Sequence, residues 1–472
     1  MDPHVAKCSK EEKDYVEHSL LQKKGETQLK IKAYKRRWTI LIIFFIYSAI
    51  SSLQWIEYSS ITHLVVKYYK VSTIAVDWTS IVYMAVNPFL VIPASYIIDK
   101  KGLRTAGLIG CIGTAIGTGI KVFSVRNDLF VVVLIGQTII SMSQVTIICL
   151  PPKIAAVWFK SNEVSTACSI GAIGMQIGCA IGYILPPSIV KDSVNLEDIG
   201  AGLYLLCWIL AGSTIPVTVA VLFYFSAEPP LPPSNAQANL RQNKEEFSTK
   251  AFFLSIKKLF QNKPFVIHMV AYGINIAVFS AVGTLWTQFV LQYFEGASED
   301  AGRMGFIMVI VGALSSIVFG ILLDKTRKYK EITFLNYLGS AISIYMLMYA
   351  LEWKSMLLMY ISTVIVGVFT SAYMPVGFEF AMELTFPSEE STTTGILIAM
   401  TQVLGAIFTV AVGYLNLWVG CYWSLFSQGA LLILGTVFTG CVPNKLLQQE
   451  AFKQNLIERK VSHHGSHLIF IE

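Results

Sequence analysis

Asp99-Lys100-Lys101-Gly102-Leu103-Arg104 closes one apolar run of this chain, and Asp324-Lys325-Thr326-Arg327-Lys328 closes another 225 residues on, from position 99 to position 324. A second pair of landmarks keeps nearly that offset. Glu163-Val164-Ser165-Thr166 leads to Gln176, and Glu389-Glu390-Ser391-Thr392 leads to Gln402, 226 residues after Gln176. Landmarks at a fixed offset in an apolar chain mean that one helical bundle has been built twice. Polar residues facing the seam between two such halves are the first candidates for a site.

The composition sets the solvent. Hydrophobic residues make up 54% and charged residues 14%, against roughly 45–50% and about 25% in soluble domains. The apolar residues come in blocks of about 20, the helix length that crosses about 30 Å of hydrocarbon. Twelve blocks begin near Trp38, Asp77, Leu103, Asp128, Val164, Ala201, Phe265, Gly302, Ile332, Met356, Thr394 and Cys421. The fold class is therefore all-α integral membrane: twelve helices in two six-helix bundles related by a pseudo-twofold axis.

Lys and Arg collect on one set of connections: Lys30 to Arg37, Lys100 to Arg104, Lys153 and Lys160, Lys257 to Lys263, and Lys325 to Lys330. The other set is poorer in cations and carries Asp192, Glu197, Asp198, Glu295, Glu299 and Asp300. By the positive-inside rule both termini face the cytosol. The formal charge of +6 follows from that bias and calls for no nucleic-acid partner. The eight cysteines show no metal-type spacing, so they read as small hydrophobes, and no metal or cofactor is expected. The polar N-terminus predicts no cleavable signal peptide.

Five segments are expected: a cytosolic tail over 1–37, a first bundle over 38–227, a cytosolic linker over 228–263, a second bundle over 264–443 and a cytosolic tail over 444–472. The prolines at 229, 230, 232 and 233 end the sixth span. Phe252, Phe253, Ile256, Leu259 and Phe260 alternate with Lys250, Lys257 and Lys258, the pattern of a helix lying at the membrane interface. Glycines 171, 174, 178 and 182 give the fifth span a close-packing face.

Asp99-x-x-Gly102-x-Arg104 resembles the loop signature of the major facilitator superfamily. Its physical logic is a latch, in which Asp99 pairs with Arg104 and with an opposing helix end to hold one access state closed. Asp324 and Arg327 repeat it, and Glu383, with Glu379, is placed at the cytosolic gate. Polar residues deep in spans are expensive and therefore informative: Gln54, Trp55, Glu57 and Tyr58, Gln137 and Gln144, Gln176, His268, Asn275, Ser280 and Gln288, and Gln402. Amides and aromatics without a free cation disfavour an anionic substrate and suit a small organic cation held on an aromatic face. Trp55 and Tyr58 are three apart, on one face of an ideal helix. Lys121, near the outer end of span 3, reads as a snorkelling side chain with no role.

Within those residues the chain resembles the feline leukaemia virus subgroup C receptor-related family. The resemblance rests on Gln54-Trp55, Val71 to Trp78, Asp99 to Arg104, Val164 to Gly171, Pro232-Pro233-Ser234 and Gly377-Phe378-Glu379, and it covers about residues 36–443. It implies a major facilitator carrier for choline and ethanolamine, with haem export as the older assignment to the family. It also implies a span 1 tryptophan, here Trp55, and substrate-facing glutamines, here Gln144 and Gln402, with Gln176 retained in span 5. A family tyrosine falls on Ser280, an asparagine on Met175 and a glutamine on Glu57. Trp286 is an alternative source for the lost ring, and Glu57 for cation attraction.

The reading is thus a carrier acting by facilitated alternating access, a monomer in the plasma membrane or an internal one. Its alternatives are haem movement, a non-transporting receptor, and proton coupling through Glu57, His268 or Glu383. No catalytic constellation sits inside the spans, so no enzyme is expected.

Overall fold

The computed structural model describes residues 31–160, 163–233, 237, 249–385 and 390–443. Twelve of its helices are long and apolar enough to cross a bilayer. They are span 1 (Arg36–Ile56), span 2 (Thr73–Val91), span 3 (Lys100–Val122), span 4 (Phe130–Trp158), span 5 (Thr166–Ile189), span 6 (Leu196–Tyr224), span 7 (Lys263–Tyr293), span 8 (Ser298–Leu323), span 9 (Tyr329–Glu352), span 10 (Met356–Thr385), span 11 (Thr392–Val419) and span 12 (Cys421–Cys441). No strand occurs among the described residues. Several helices start before their apolar run because a polar cap sets the boundary. Ser72 accepts from the Ala75 amide (3.3 Å), Asn195 from Glu197 (3.1 Å) and Asn262 from Phe265 (3.4 Å), each satisfying an otherwise orphaned N–H.

The two halves pack in the same way. Span 1 lies on span 5 as span 7 lies on span 11, and span 3 lies on span 6 as span 9 lies on span 12. Glycine makes the first of these possible: a Cβ at Gly178 would sit 2.1 Å from the Ala49 carbonyl, and one at Gly174 would meet Ser48 and Phe45. Between the halves, span 2 meets span 11 and span 5 meets span 8. Span 7 is the most enclosed, while spans 8 and 11 turn most of their surface outward. Phe223, Leu314, Val318, Leu357 and Val437 are exposed, an apolar girdle that belongs against lipid.

We call the end with Arg36 and Cys441 the tail end and its opposite the distal end. The repeated loops lie at the tail end. Gly102 adopts φ 80° and ψ 172°, a region essentially reserved for glycine, and this breaks what is otherwise one continuous helix into spans 2 and 3. Arg327, 225 residues later, also has positive φ (53°). The two turns differ, however, since Arg327 (ψ 24°) lies in the left-handed helical region and Gly102 does not. The Arg104 guanidinium donates to the Leu222 carbonyl (3.0 Å), and Arg36 donates to that of Tyr224 (2.9 Å). Both cap the C-terminus of span 6, where unpaired carbonyls and the helix dipole favour cations. The Asp99 and Asp324 side chains lie outside the described residues. Glu163, at the head of the other repeated motif, pairs with Arg37 at 3.0 Å, tying span 5 to span 1. Its counterpart side chains at 389 and 390 also lie outside the described residues.

The linker contributes a helix over Thr249–Gln261. Leu259 is fully buried in the second half's core while Leu254 and Phe260 are exposed, and Asn262 donates to the Leu384 carbonyl at 2.9 Å. One face therefore docks on the second half. Glu383 is buried at the tail end of span 10. Residues 1–30 and 444–472, the expected tails, lie outside the described residues.

Candidate substrate site between the halves

Span 1 ends where the site begins. Its α-helix stops at Ile56 and the chain tightens into a 3-10 turn, Ser59–Ile61. Helix ends leave carbonyls without partners, and here side chains supply them. Gln137 of span 4 donates to the Gln54 carbonyl (3.0 Å), and Ser80 of span 2 donates to that of Trp55 (2.7 Å). Tyr83 in turn donates to the Gln137 side chain at 2.8 Å. Trp55 is half-buried and packs against a hydrophobic cluster drawn mainly from spans 7 to 12. Its indole nitrogen is buried without a hydrogen-bond partner.

The expected partners fall into two groups. Ser52, one turn before Trp55, receives a long hydrogen bond from Gln144 (3.5 Å), and its carbonyl faces the Cys179 thiol at 3.8 Å. Gln176, three residues before Cys179, is half-buried. Gln144 and span 5 thus meet span 1 at Ser52, one turn before Trp55. In the other half Ser280 is buried near Gly405, whose own space is limited by Met84 of span 2. Gln402 is three residues before Gly405 and half-buried. Among the described residues no hydrogen bond joins the two groups.

Three expectations need correction. Tyr58 does not join Trp55 at the seam. It is buried inside the first half, 3.9 Å from the Cys207 sulfur and beneath the Lys121 ammonium. Trp286 supplies no ring: it is fully buried, with its indole N–H committed to the Ala301 carbonyl at 2.8 Å. Lys121 does not snorkel. It is completely enclosed, ion-paired with Glu57 and bonded to the Gln54 side chain at 2.9 Å. Glu57 therefore spends its charge on Lys121 and offers none to the seam. The signal that could have found this pair is two opposite charges inside neighbouring apolar spans.

The distal end carries the hydrogen bonds between the halves. Gln288 donates to the buried Asp77 carboxylate (2.6 Å), Thr287 to the Ser60 carbonyl (3.2 Å), Tyr183 to the Gly283 carbonyl (2.8 Å), and Lys191 pairs with Glu299 (2.6 Å). His268, the histidine deepest in a span, is bound to the Gly377 carbonyl at 2.8 Å and packed on Phe380.

A sequence profile of the Major Facilitator Superfamily matches residues 38–351 and, overlapping, 269–453. The chain belongs to the major facilitator superfamily. Among similar members is the choline/ethanolamine transporter flvcr2b of Danio rerio, 38% identical over 423 residues, 90% of this chain and 87% of that protein. Another is the choline/ethanolamine transporter FLVCR2 of Homo sapiens, 35% identical over 427 residues, 90% of this chain and 81% of that protein. A bacterial homologue of the human lysosomal transporter Spinster, solved inward-facing and unoccupied, shares the fold (TM-score 0.68, 13% identity, 88% of this chain and 99% of that one). This superfamily member is accordingly a multi-pass membrane transporter and not an enzyme. Such folds place substrate between repeats near mid-membrane, and the candidate residues lie on spans of both halves.

Proposed function

We propose that the protein moves a small organic cation of the choline and ethanolamine class by alternating access, without an obligatory coupling ion. Trp55 carries the reading: an indole at the seam between the halves, its N–H uncommitted, beside amides and without a free charge. An aromatic face attracts a quaternary ammonium by about 0.5–2 kcal/mol. The names of the relatives, at 35–38% identity over most of the chain, point to the same substrate class. Facilitated movement agrees with the two buried acids described near the path, since Glu57 is held by Lys121 and Asp77 by Gln288. The lysine-rich connections favour a cytosolic tail end and cytosolic termini, and on that reading the distal contacts close the outer side.

Haem is disfavoured, because His268 is committed to a backbone carbonyl and no axial partner accompanies it. Uptake of labelled choline and ethanolamine into cells, with Trp55→Ala and Gln144→Ala alongside, tests the reading. Saturable uptake weakened in both variants is expected. Wild-type protein that reaches the membrane and moves neither compound removes the proposal.

A further inference from the structure

Inside the first half lies a polar knot that substrate never has to touch. The Lys121 ammonium, fully enclosed, contacts the Glu57 carboxylate and the Gln54 amide oxygen (2.9 Å) and lies 5.5 Å from the centre of the Tyr58 ring. Thr118 adds a second donor to the Gln54 oxygen at 3.0 Å. Gln54 and Glu57 are three residues apart on the last turn of span 1, so both project toward span 3. Trp55 lies between them in sequence. At 100° per residue it projects roughly 130° away from their mean direction, and it packs against a hydrophobic cluster drawn mainly from spans 7 to 12.

We propose that the Lys121–Glu57–Gln54 knot is the positioning device of the substrate site. It bolts the end of span 1 to span 3 at the point where the α-helix gives way to a tighter turn, and so fixes the direction of the Trp55 indole. Lys121 and Glu57 are positioning residues that act through Trp55 and bear on affinity. This role rests on the reading of Trp55 as the substrate contact.

The test combines uptake kinetics with fluorine NMR of fluorotryptophan-labelled protein, the Trp55 signal being the one lost in Trp55→Phe. Glu57→Gln and Lys121→Met each leave one buried charge unmatched. Each is expected to raise the KM for choline about tenfold at an unchanged maximal rate per molecule, and to shift the Trp55 signal. The exchange Glu57→Lys with Lys121→Glu rebuilds the pair with reversed polarity, and the Gln54 amide N–H, now without a partner, can donate to the relocated carboxylate. That double variant is expected to recover both KM and signal. Gln54→Leu keeps the ion pair while removing the strut, so it tests the idea even where a single charge variant fails to fold: a shifted signal and raised KM are expected. An unmoved Trp55 signal and native KM in Gln54→Leu, or a double variant that folds with the signal still displaced, overturns the proposal. Absence of any choline or ethanolamine uptake by the wild type defeats the transport reading instead, and the fluorine signal still reports whether the knot sets the indole.

Discussion

At the residue scale the site depends on one uncommitted ring, and this orders the effects of substitution. Trp55→Ala removes the aromatic face, so choline KM should rise by about 2- to 30-fold, the range spanned by about 0.5–2 kcal/mol. Trp55→Phe should fall between wild type and alanine. Trp286→Phe is the contrasting case: it loses the hydrogen bond to Ala301 and should lower thermal stability by about 1 kcal/mol while leaving KM unchanged. A melting curve beside an uptake curve separates the two tryptophans. Trp55, Gln144 and Gln176 stood out in the sequence as candidates because amides and indoles are rare in spans. It misplaced Tyr58, since residue spacing does not say which neighbours a helix face meets, and Tyr58 packs inside the first half. It also misjudged Lys121, because position near a span end is compatible with snorkelling, and only the neighbouring span reveals a carboxylate waiting for it.

Elements repeat more faithfully than their residues. Gly102 and Arg327 both have positive φ, but Gly102 (ψ 172°) lies in a region essentially reserved for glycine and Arg327 (ψ 24°) in the left-handed helical region. Gly102→Ala should therefore destabilise the protein by about 1–3 kcal/mol, whereas Arg327→Gly should stabilise it slightly, by less than about 1 kcal/mol. Thermal unfolding of both in one detergent checks the sign. Packing between elements is stricter still: Gly178→Ala drives a methyl into the Ala49 carbonyl, and forcing spans 1 and 5 apart should cost several kcal/mol and most of the folded yield. The glycine rows were readable as a close-packing face from spacing alone. The partners of Arg104 were not, because the C-terminal carbonyls of span 6 come near it only through folding.

On the scale of the whole molecule, the twofold plan was visible in two motifs at a common offset, while the closed end was not, since no local pattern pairs Asp77 with Gln288. That cross-half bond is a charged hydrogen bond worth about 1.5–3 kcal/mol. Gln288→Ala should shift the balance toward the distally open form by about ten- to a hundredfold. Spin labels at the exposed positions Val194 and Trp353 should report a longer mean distance in the variant, whereas an unchanged distribution would mean that the bond does not hold the gate.

The mutual neutralisation of Glu57 and Lys121 has an electrical consequence. With that pair neutral and no ion co-transported, the cargo's own positive charge is the one carried across the field. Each translocation of choline then carries current, and a 100 mV inside-negative potential supplies about 2.3 kcal/mol, enough for about fiftyfold accumulation at equilibrium. Depolarising cells with external potassium should collapse that gradient, while a change of external pH at fixed voltage should leave it standing.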